Sequence, residues 1–498
     1  MIFQTNKKNI SHKIGKEKMK GFTRKFKPLD ILSEQDIESI HKSTLHVLDT
    51  VGVKFESKRA LSLFKKAGCR VDEASSQVRF PPSLVEECLR KCPSSFGIAA
   101  RDNKDSLRFG GNTLHFYNSV GLKTVDTDTF EPRAATMQEQ NDGVRVLDAL
   151  EHLHLANSYT PYMEIEGVPL STLLLETLVS RLRYTTKVTA SGYSNHSDMF
   201  AVQMAKEIGV DLLGCVMVGP PLRYYEDACD AAFSYAGAGF PIFITSGVSY
   251  GATGPATIAG STVTNTAEII AGIVLVQLIR PGTGVLAVDF SFPMDMKTAT
   301  PIFGSFNSAM HSAMFGQIWR QYQVPTCVSS SGYCSSKMPD YQMGYEKSFS
   351  GIVAALAGVN VVSMHGGIYS ELSFHPVQAV LDDDLAGMIG HFLEGATINE
   401  DTLALDVIAS VGSSPGHYLG TQHTFDFWKS ELYTPKSADR LSYDAWMKNG
   451  KKSTLDYAKE RTEDIIANHN ISVPLTAHQD DALLRIMKDA QKYYEDKK

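Results

Sequence analysis

Two side chains with acid–base chemistry each follow a short apolar stretch of the chain. His365 comes after one such stretch and Asp289 ends another. An imidazole in that position can hold a carboxylate or steer a proton, and an aspartate can pair with a cationic substrate. Each can equally be a structural residue that hydrogen-bonds neighbouring backbone, so both interpretations stay open.

The other stretches of this kind end mainly in aromatic, hydroxyl and amide residues. Aromatic faces bind quaternary ammonium ions through their quadrupoles. Aromatic residues in such places also commonly pack as core or rim, so contact with a ligand is only an expectation for each of them. The candidates for substrate contact are Tyr117, Asn118, Tyr250, Phe290, Phe292, Ser330 and Tyr369.

Several common chemistries lack their sequence signals. No tight His/Cys/Asp cluster suggests zinc, so we predict no metal site. No Gly-x-x-x-x-Gly-Lys-Ser/Thr loop or Gly-x-Ser-x-Gly elbow is present. No lysine ends a predicted strand, which disfavours a Schiff base. The absence of Asp-x-His-x-x-Gly argues against a corrinoid held by this chain.

The candidate residues must be positioned by a regular alternation of strands and helices. We predict eight strands, each followed by a helix, and the helix over 377–393 has the clearest apolar stripe. This alternation predicts a parallel sheet of class α/β, and eight units predict a closed (β/α)8 TIM barrel with its site at the C-terminal strand ends. A doubly wound open sheet is the main rival, but no G-x-G-x-x-G turn follows any strand. The predicted strands are 114–119, 153–159, 187–191, 212–218, 241–246, 284–290, 325–330 and 359–364.

Four segments are expected along the chain. Residues 1–27 are predicted to be a disordered or loosely attached arm. Residues 28–109 form an N-terminal α+β cap, whose first helix begins with a capping box between Ser33 and Asp36. Residues 110–398 are the barrel. Residues 399–498 are a helical C-terminal extension that packs on the barrel or on a neighbouring subunit.

The bulk composition limits the partners. With 498 residues and a net charge of -7, the chain has no general attraction for nucleic acid or anionic lipid. Its seven cysteines form no Cys-x-x-Cys pair, and no signal peptide is apparent, which favours the cytoplasm. The most apolar stretch, 269–279, is shorter than the about 20 residues needed to span a bilayer. A homo-oligomer is expected because large barrel enzymes often self-associate.

One segment is similar to a known family. Residues 337–347 (KMPDYQMGYEK) resemble the Lys-x-Pro-Asp-x-Gln-x-Gly-x-Glu-Lys segment of the trimethylamine methyltransferase (MttB) superfamily. Stretches 254–277, 354–360 and 433–450 agree with it, and the likeness runs from about residue 32. The resemblance implies a barrel enzyme that moves a methyl group from an amine to the Co(I) of a separate corrinoid protein. It implies no cofactor bound by this chain.

The chain departs from that family at one position. Archaeal trimethylamine members carry pyrrolysine after the strand that corresponds to 325–330, and counting along the motif places that position at Gly332 or Tyr333. An ordinary residue there favours a quaternary amine, glycine betaine first, with proline betaine or carnitine as alternatives. A quaternary nitrogen is already a leaving group, so the protein mainly has to desolvate and orient it.

For such a substrate, the expected role of each residue depends on the strand end at which it lies. Tyr117, Tyr250, Phe290 and Phe292 would surround the ammonium, and His365 would bind the carboxylate. Among the motif residues we place Glu346 with the catalytic candidates, although Asp340, Gln342 and Glu346 can instead shape the loop at Gly332. Glu371, after the eighth strand, is a further candidate. The alternatives are a hydrolase or lyase that pairs His365 with Asp289, and a betaine-binding protein without catalysis.

Overall fold

A closed barrel of eight parallel strands forms the centre of the molecule. The structure, a computed structural model, describes residues 21–157 and 162–497. The barrel closes where the last strand pairs with the first, with Val361 opposite His115 and Ser363 opposite Tyr117. This confirms the predicted (β/α)8 fold. The strands are β1 (Thr113–Asn118), β2 (Leu155–Ala156), β3 (Val188–Ser191), β4 (Leu212–Met217), β5 (Ile242–Ser246), β6 (Val285–Asp289), β7 (Thr326–Val328) and β8 (Val361–His365).

A helix follows each strand and covers the outside of the barrel. The helix after β5 is long and apolar enough to cross a membrane by length and composition, but 78% of its apolar window is buried. It is apolar all round because strands cover its inner face and helices Glu34–His46 and Pro82–Lys91 cover its outer face. The helices are α1 (Met137–Ala149), α2 (Leu173–Tyr184), α3 (Ser197–Ile208), α4 (Glu226–Ala238), α5 (Ile258–Ile279), α6 (Phe306–Tyr322), α7 (Tyr341–Leu356) and α8 (Pro376–Glu394).

The N-terminal face of the barrel, here called the floor, is closed. A hairpin of Ser95–Ile98 and Leu107–Gly110 lies across it. Ile98, Leu107 and Phe109 belong to the same buried cluster as the residues that fill the barrel interior. The opposite face, the mouth, is where the C-terminal strand ends meet. A ligand therefore reaches the strand ends through the mouth.

The N-terminal unit is a small α+β structure on the flank of the barrel. Its strands Val53–Phe55, Gln77–Arg79 and Arg70–Asp72 form a sheet, and Arg223–Tyr224 from the loop after β4 joins its edge. Its first helix, Glu34–His46, begins with the predicted capping box. A π-helical turn, Val47–Val51, and helices Lys58–Lys66 and Pro82–Lys91 complete it.

Residues 21–27 are part of the folded barrel, so the predicted loose arm over 1–27 is wrong for them. Phe22–Thr23 pairs antiparallel with the start of β1. Arg24 is only 2% exposed and donates a 2.8 Å hydrogen bond to the carbonyl of Ala355. Strand pairing and burial of Phe22 hold this segment on the floor. Residues 1–20 lie outside the described residues.

The C-terminal extension has two parts that differ in packing. Helix Thr454–Asn468 packs on α8 and α1, and helix Ala477–Glu495 packs on α3 and α2. Before them, helices Glu400–Leu403, Leu405–Val411, Gln422–Glu431 and Tyr443–Lys448 contain no buried residue. We call residues 396–432 the projecting segment.

Candidate functional site at the barrel mouth

Four aromatic rings form a cluster at the mouth. Phe290 and Phe292 follow β6, and their ring centroids lie 5.7 Å apart. Phe303 lies 4.8 Å from Phe292, and Tyr333 lies 5.3 Å from Phe290. Phe303 and Tyr333 are buried, whereas Phe290 and Phe292 are partly exposed. The rings therefore present an aromatic wall that can receive a cation.

A short strand positions this wall. Phe292–Asp295 pairs with Ser249–Tyr250 on one side and with Thr300–Pro301 on the other. The second pairing returns the chain and brings Phe303 against Phe292. No motif marks Phe303 in the sequence, because only this long-range turn places it in the cluster.

Tyr333 is one of the two positions, with Gly332, at which the resemblance places pyrrolysine. Its hydroxyl accepts a 3.1 Å hydrogen bond from the amide of Val120, just beyond β1. A Cβ added to the neighbouring Gly332 would lie 2.2 Å from Oγ of Ser363 and 2.5 Å from Oγ of Ser119. This backbone therefore admits no side chain at Gly332, and the ring of Tyr333 fills the neighbouring space.

The motif at residues 337–347, before and within α7, holds the loop that carries Tyr333. Oε2 of Glu346 accepts hydrogen bonds from the amides of Ser335 (2.7 Å) and Ser336 (3.3 Å). Nε2 of Gln342 donates to Oε1 of the same glutamate at 2.8 Å. Asp340 caps α7 by accepting from the amide of Met343. These contacts give Glu346 a loop-shaping role, one of its two expected roles.

Asp289 lies outside the barrel wall, between β6 and the helices. Its Oδ2 is 3.1 Å from Nδ1 of His311, and both side chains are fully buried. Its Oδ1 accepts from the amide of Ser291 at 2.9 Å. The ring of Tyr250 lies 5.7 Å from that of His311. Burial raises the pKa of Tyr250 well above its ordinary value, so its hydroxyl stays protonated.

A second buried carboxylate, Glu268, lies beside this group. It accepts from the amide of Leu222 at 2.6 Å and from Oγ of Ser246 at 2.5 Å. Burial raises the pKa of Glu268 to about 7. Asn265, three residues earlier on the same face of α5, donates to Ser246 at 3.1 Å. Glu268 is not among the predicted site residues, although a glutamate inside an apolar helix is an unusual signal.

His365 faces α8. Its Nε2 is 3.3 Å from Oδ1 of Asp383, and both side chains are buried. Asp383 also accepts from the amide of His152 at 2.9 Å. Burial alone would raise the pKa of Asp383, but the hydrogen bonds and charges of His152 and His365 hold it well below its ordinary value. His365 and Asp289 thus have different partners and do not form a pair.

The residues on either side of Asp383 are also buried carboxylates with separate partners. Asp382 binds Nζ of Lys347 at 2.6 Å and accepts from the amide of Gly366 at 2.8 Å. Asp384 accepts from the amides of Lys436 and Ser437, both at 2.7 Å. The three aspartates therefore fix the loop after β8, His365 and the C-terminal extension. The sequence signal was a run of three aspartates inside an apolar helix.

The remaining candidates lie at different depths. Tyr117 is inside the barrel, where its ring lies 6.3 Å from that of Phe243. Oδ1 of Asn118 accepts from the amide of Asn157 at 3.0 Å, which joins the ends of β1 and β2. Ser330 is buried, and within residues 21–157 and 162–497 its Oγ has no hydrogen-bond partner.

Two further candidates lie in the loop after β8. Tyr369 receives the ammonium group of Lys337 over its ring, 4.6 Å from the centroid. Glu371 is exposed. The structure thus brings Phe290, Phe292 and Tyr333 together, whereas His365, Asp289 and Glu371 lie in separate surroundings. In the described part of the chain, no group of three or more His, Cys, Asp or Glu side chains has the arrangement of a metal site.

Comparison with known proteins agrees with the sequence resemblance. The family model described as trimethylamine methyltransferase (MTTB) matches residues 4–492. The chain is 32% identical to the glycine betaine methyltransferase of Desulfitobacterium hafniense, covering 88% of this chain and 93% of that one. It is 29% identical to a trimethylamine methyltransferase MttB of the same species, covering 88% and 89%. Among solved structures, the monomethylamine methyltransferase MtmB of Methanosarcina barkeri has 12% identity and a TM-score of 0.46, covering 93% and 94%.

Fold and sequence together define a methyltransferase built on a β/α barrel. The chain belongs to the trimethylamine methyltransferase (MTTB) family. Its reaction is methyl transfer from a methylated amine.

Proposed function

We propose that the chain transfers a methyl group from a quaternary amine, glycine betaine first, to the Co(I) of a separate corrinoid protein. The aromatic wall carries this proposal. Tyr333 contributes one of its rings from one of the two positions where the resemblance places pyrrolysine, and the backbone at the other position, Gly332, admits no side chain. A relative named glycine betaine methyltransferase, 32% identical, supports the choice of substrate.

The chemistry requires little acid–base help from the protein. The C–N bond of a quaternary ammonium breaks with its electron pair going to nitrogen, which leaves as a neutral tertiary amine without prior protonation. The corrinoid of the partner supplies the nucleophile. This chain therefore has to exclude water and hold the cation by Phe290, Phe292, Phe303 and Tyr333.

The carboxylate of a betaine needs a polar contact, and the predicted one, His365, does not face the wall. Its Nε2 is 3.3 Å from Oδ1 of Asp383, and its ring is buried between β8 and α8, outside the barrel interior. The proposal therefore leaves His365 out of the contacts with the substrate. Asp289 and Tyr250 lie behind the wall and, in this proposal, set its electrostatic surroundings.

The decisive experiment mixes the protein with a reduced corrinoid protein and glycine betaine, and follows the absorbance change on methylation of the corrinoid. Proline betaine, carnitine and trimethylamine serve as parallel substrates. A response to another betaine alone keeps the reaction and changes the substrate. A response to trimethylamine alone, or no response from a partner that accepts methyl groups elsewhere, overturns the proposal.

The alternative functions are weaker. A hydrolase or lyase that pairs His365 with Asp289 lacks its pair, because these side chains bind Asp383 and His311. A betaine-binding protein without catalysis would bind glycine betaine tightly in the same experiment without methylating the corrinoid. The cytoplasmic location stays a prediction from the cysteines, all seven of which are buried thiols outside any disulfide.

A further inference from the structure

Two hydroxyl groups inside the barrel have no hydrogen-bond partner within residues 21–157 and 162–497. They belong to Tyr117 on β1 and Thr245 on β5, whose side chains are 1% and 7% exposed. A buried hydroxyl without a partner has lost its hydrogen bonds to water and gained none in return, which costs stability. We call these two groups the inner hydroxyls. A ligand that enters the barrel can supply the partner that they lack.

The inner hydroxyl of Thr245 lies one layer below the aromatic wall. Thr245 is paired with Val288, whose side chain faces the barrel interior, so the two side chains share that face. Phe290 follows Val288 by two residues and lies one layer nearer the mouth. Its ring is beside Gly247, where an added Cβ would lie 3.3 Å from Cδ1 of Phe290. Because Gly247 follows Thr245 by two residues, the wall covers the interior above Thr245.

The inner hydroxyl of Tyr117 comes from the opposite side of the barrel. The ring of Tyr117 lies 6.3 Å from that of Phe243, which precedes Thr245 by two residues on β5. Burial raises the pKa of Tyr117 well above its ordinary value, and Cys327 is the next group that raises it. Cys327 is in one row with Thr245, since both are paired with Val288. The hydroxyl therefore stays protonated, and it lies in the same part of the interior as that of Thr245.

We infer that the inner hydroxyls bind the carboxylate of the amine substrate, while the aromatic wall above them binds its ammonium group. The inference rests on the proposed function and adds to it a contact for the carboxylate. A betaine carries both charges on one small molecule, so it needs an aromatic and a hydrogen-bonding surface next to each other. An ionised carboxylate only accepts hydrogen bonds, and both inner hydroxyls can donate.

This orientation of the substrate also suits methyl transfer. With the carboxylate innermost, the methyl groups of the ammonium point towards the mouth, from which the methyl acceptor approaches. When the C–N bond breaks, its electron pair stays with the nitrogen inside the barrel and the methyl group leaves on the outer side. Because a betaine is a zwitterion, its own ammonium offsets part of the cost of placing a carboxylate among neutral groups.

Two conservative substitutions test the inference, since each removes one inner hydroxyl and keeps the shape of the side chain. Tyr117→Phe and Thr245→Val should each weaken the binding of glycine betaine by about 10- to 100-fold, the range for loss of a hydrogen bond to a charged group. The binding of tetramethylammonium, which has no carboxylate, should change by less than about two-fold. Calorimetric titration of the full chain measures the affinity for both amines.

The chain offers a matched control for each variant. Tyr494→Phe and Thr44→Val remove hydroxyls that are also buried and also lack a hydrogen-bond partner in the described parts of the chain. These two residues lie on the helices Ala477–Glu495 and Glu34–His46, outside the barrel. Neither control should change the affinity for either amine by more than about two-fold. Unchanged binding of tetramethylammonium also shows that each variant is folded.

Equal losses of affinity for the two amines, or no loss for glycine betaine in either variant, would overturn the inference. Calorimetry needs no methyl acceptor, so this result is separate from the test of the proposed function. A chain that shows the expected affinities but methylates no corrinoid protein would contradict the proposed function and support the inference. A wild type that binds no glycine betaine would overturn both.

Discussion

Oδ1 of Asp383 lies 3.3 Å from Nε2 of His365, and both side chains are buried between β8 and α8. The contact turns the imidazole of the last strand residue towards the helix layer. A carboxylate that holds one ring nitrogen of a histidine fixes the orientation of the other. The relationship makes Asp383 a positioning residue for His365 and leads to the first two predictions.

His365→Gln should affect glycine betaine and tetramethylammonium, which has no carboxylate, by the same factor. The imidazole is buried between β8 and α8, away from the aromatic wall, so we expect the ratio of kcat/KM for the two amines to stay within about two-fold of the wild-type ratio. Competition assays with the two amines and one corrinoid protein measure this ratio. A loss confined to glycine betaine would mean that His365 binds the carboxylate.

Asp383→Ala should destabilise the protein by about 3–5 kcal/mol, because it leaves buried partners without their carboxylate. The folded-state pKa of Asp383 is depressed, so its stabilisation is complete above the ordinary carboxyl pKa of about 3.9 and is lost as the pH falls further. Urea titrations at neutral and acidic pH should therefore give curves that converge in acid. Asp489→Ala, at an exposed aspartate, serves as the control and should change stability by about 0.5 kcal/mol at most.

Glu268→Gln should flatten the pH dependence of stability. Burial raises the folded-state pKa of Glu268 to about 7. The contribution of Glu268 to the free energy of unfolding is therefore fully present below the ordinary glutamate pKa and declines as the pH rises towards 7. The total change is on the order of 3 kcal/mol. Melting temperatures of the wild type should decrease as the pH rises from about 5 to about 8, the range that covers most of this titration. Those of the variant should change less over the same range. Parallel curves of melting temperature against pH for the wild type and the variant would contradict the raised pKa of Glu268.

Phe290→Leu should weaken substrate binding by about 2- to 30-fold, the range for loss of a cation–π contact. Phe290→Tyr keeps an aromatic face and should retain most of the affinity. Phe306→Leu, at a phenylalanine 60% exposed on α6, is the matched control. Calorimetric titration with glycine betaine measures all three variants. An equal loss of affinity in the Phe306 variant would contradict the binding of the cation by the aromatic wall.

Gly332→Ala should destabilise the protein by about 1–3 kcal/mol, because its Cβ would lie 2.2 Å from Oγ of Ser363 and 2.5 Å from Oγ of Ser119. Removing both hydroxyls with Ser363→Ala and Ser119→Ala should recover part of the loss. A Cβ at Gly344 on α7 would contact nothing within 4 Å. Gly344→Ala should therefore be neutral or stabilising in the same denaturation experiment.

The sequence was sufficient to predict the barrel because each strand and helix has a local pattern. Short apolar stretches alternate with amphipathic helices, and the capping boxes of Ser33 and Thr136 form as hydrogen-bonding geometry requires. Phe290 and Phe292 were also predictable, since both follow the end of a strand. The residues that pack against these rings could not be predicted, because they are brought there by long-range strand pairing.

The orientation of His365 has a specific cause. The pairing of β8 with β1 is irregular between Ser363 and His365. Such an irregularity changes which face of the sheet the next side chain occupies. Simple alternation would direct His365 into the barrel, and no residue type in the sequence signals the irregularity. Asp289, by contrast, follows the regular alternation of β6 after Val288, which faces the interior.

The hairpin that closes the floor also constrains the order of events during turnover. In the proposed reaction, with the floor sealed by Ile98, Leu107 and Phe109, the amine and the methyl acceptor would both use the mouth. The amine would therefore enter before the acceptor docks, and the demethylated product would leave only after the acceptor has withdrawn. Occupancy of the mouth would couple product release to departure of the acceptor, so an acceptor that binds too long would itself limit the rate.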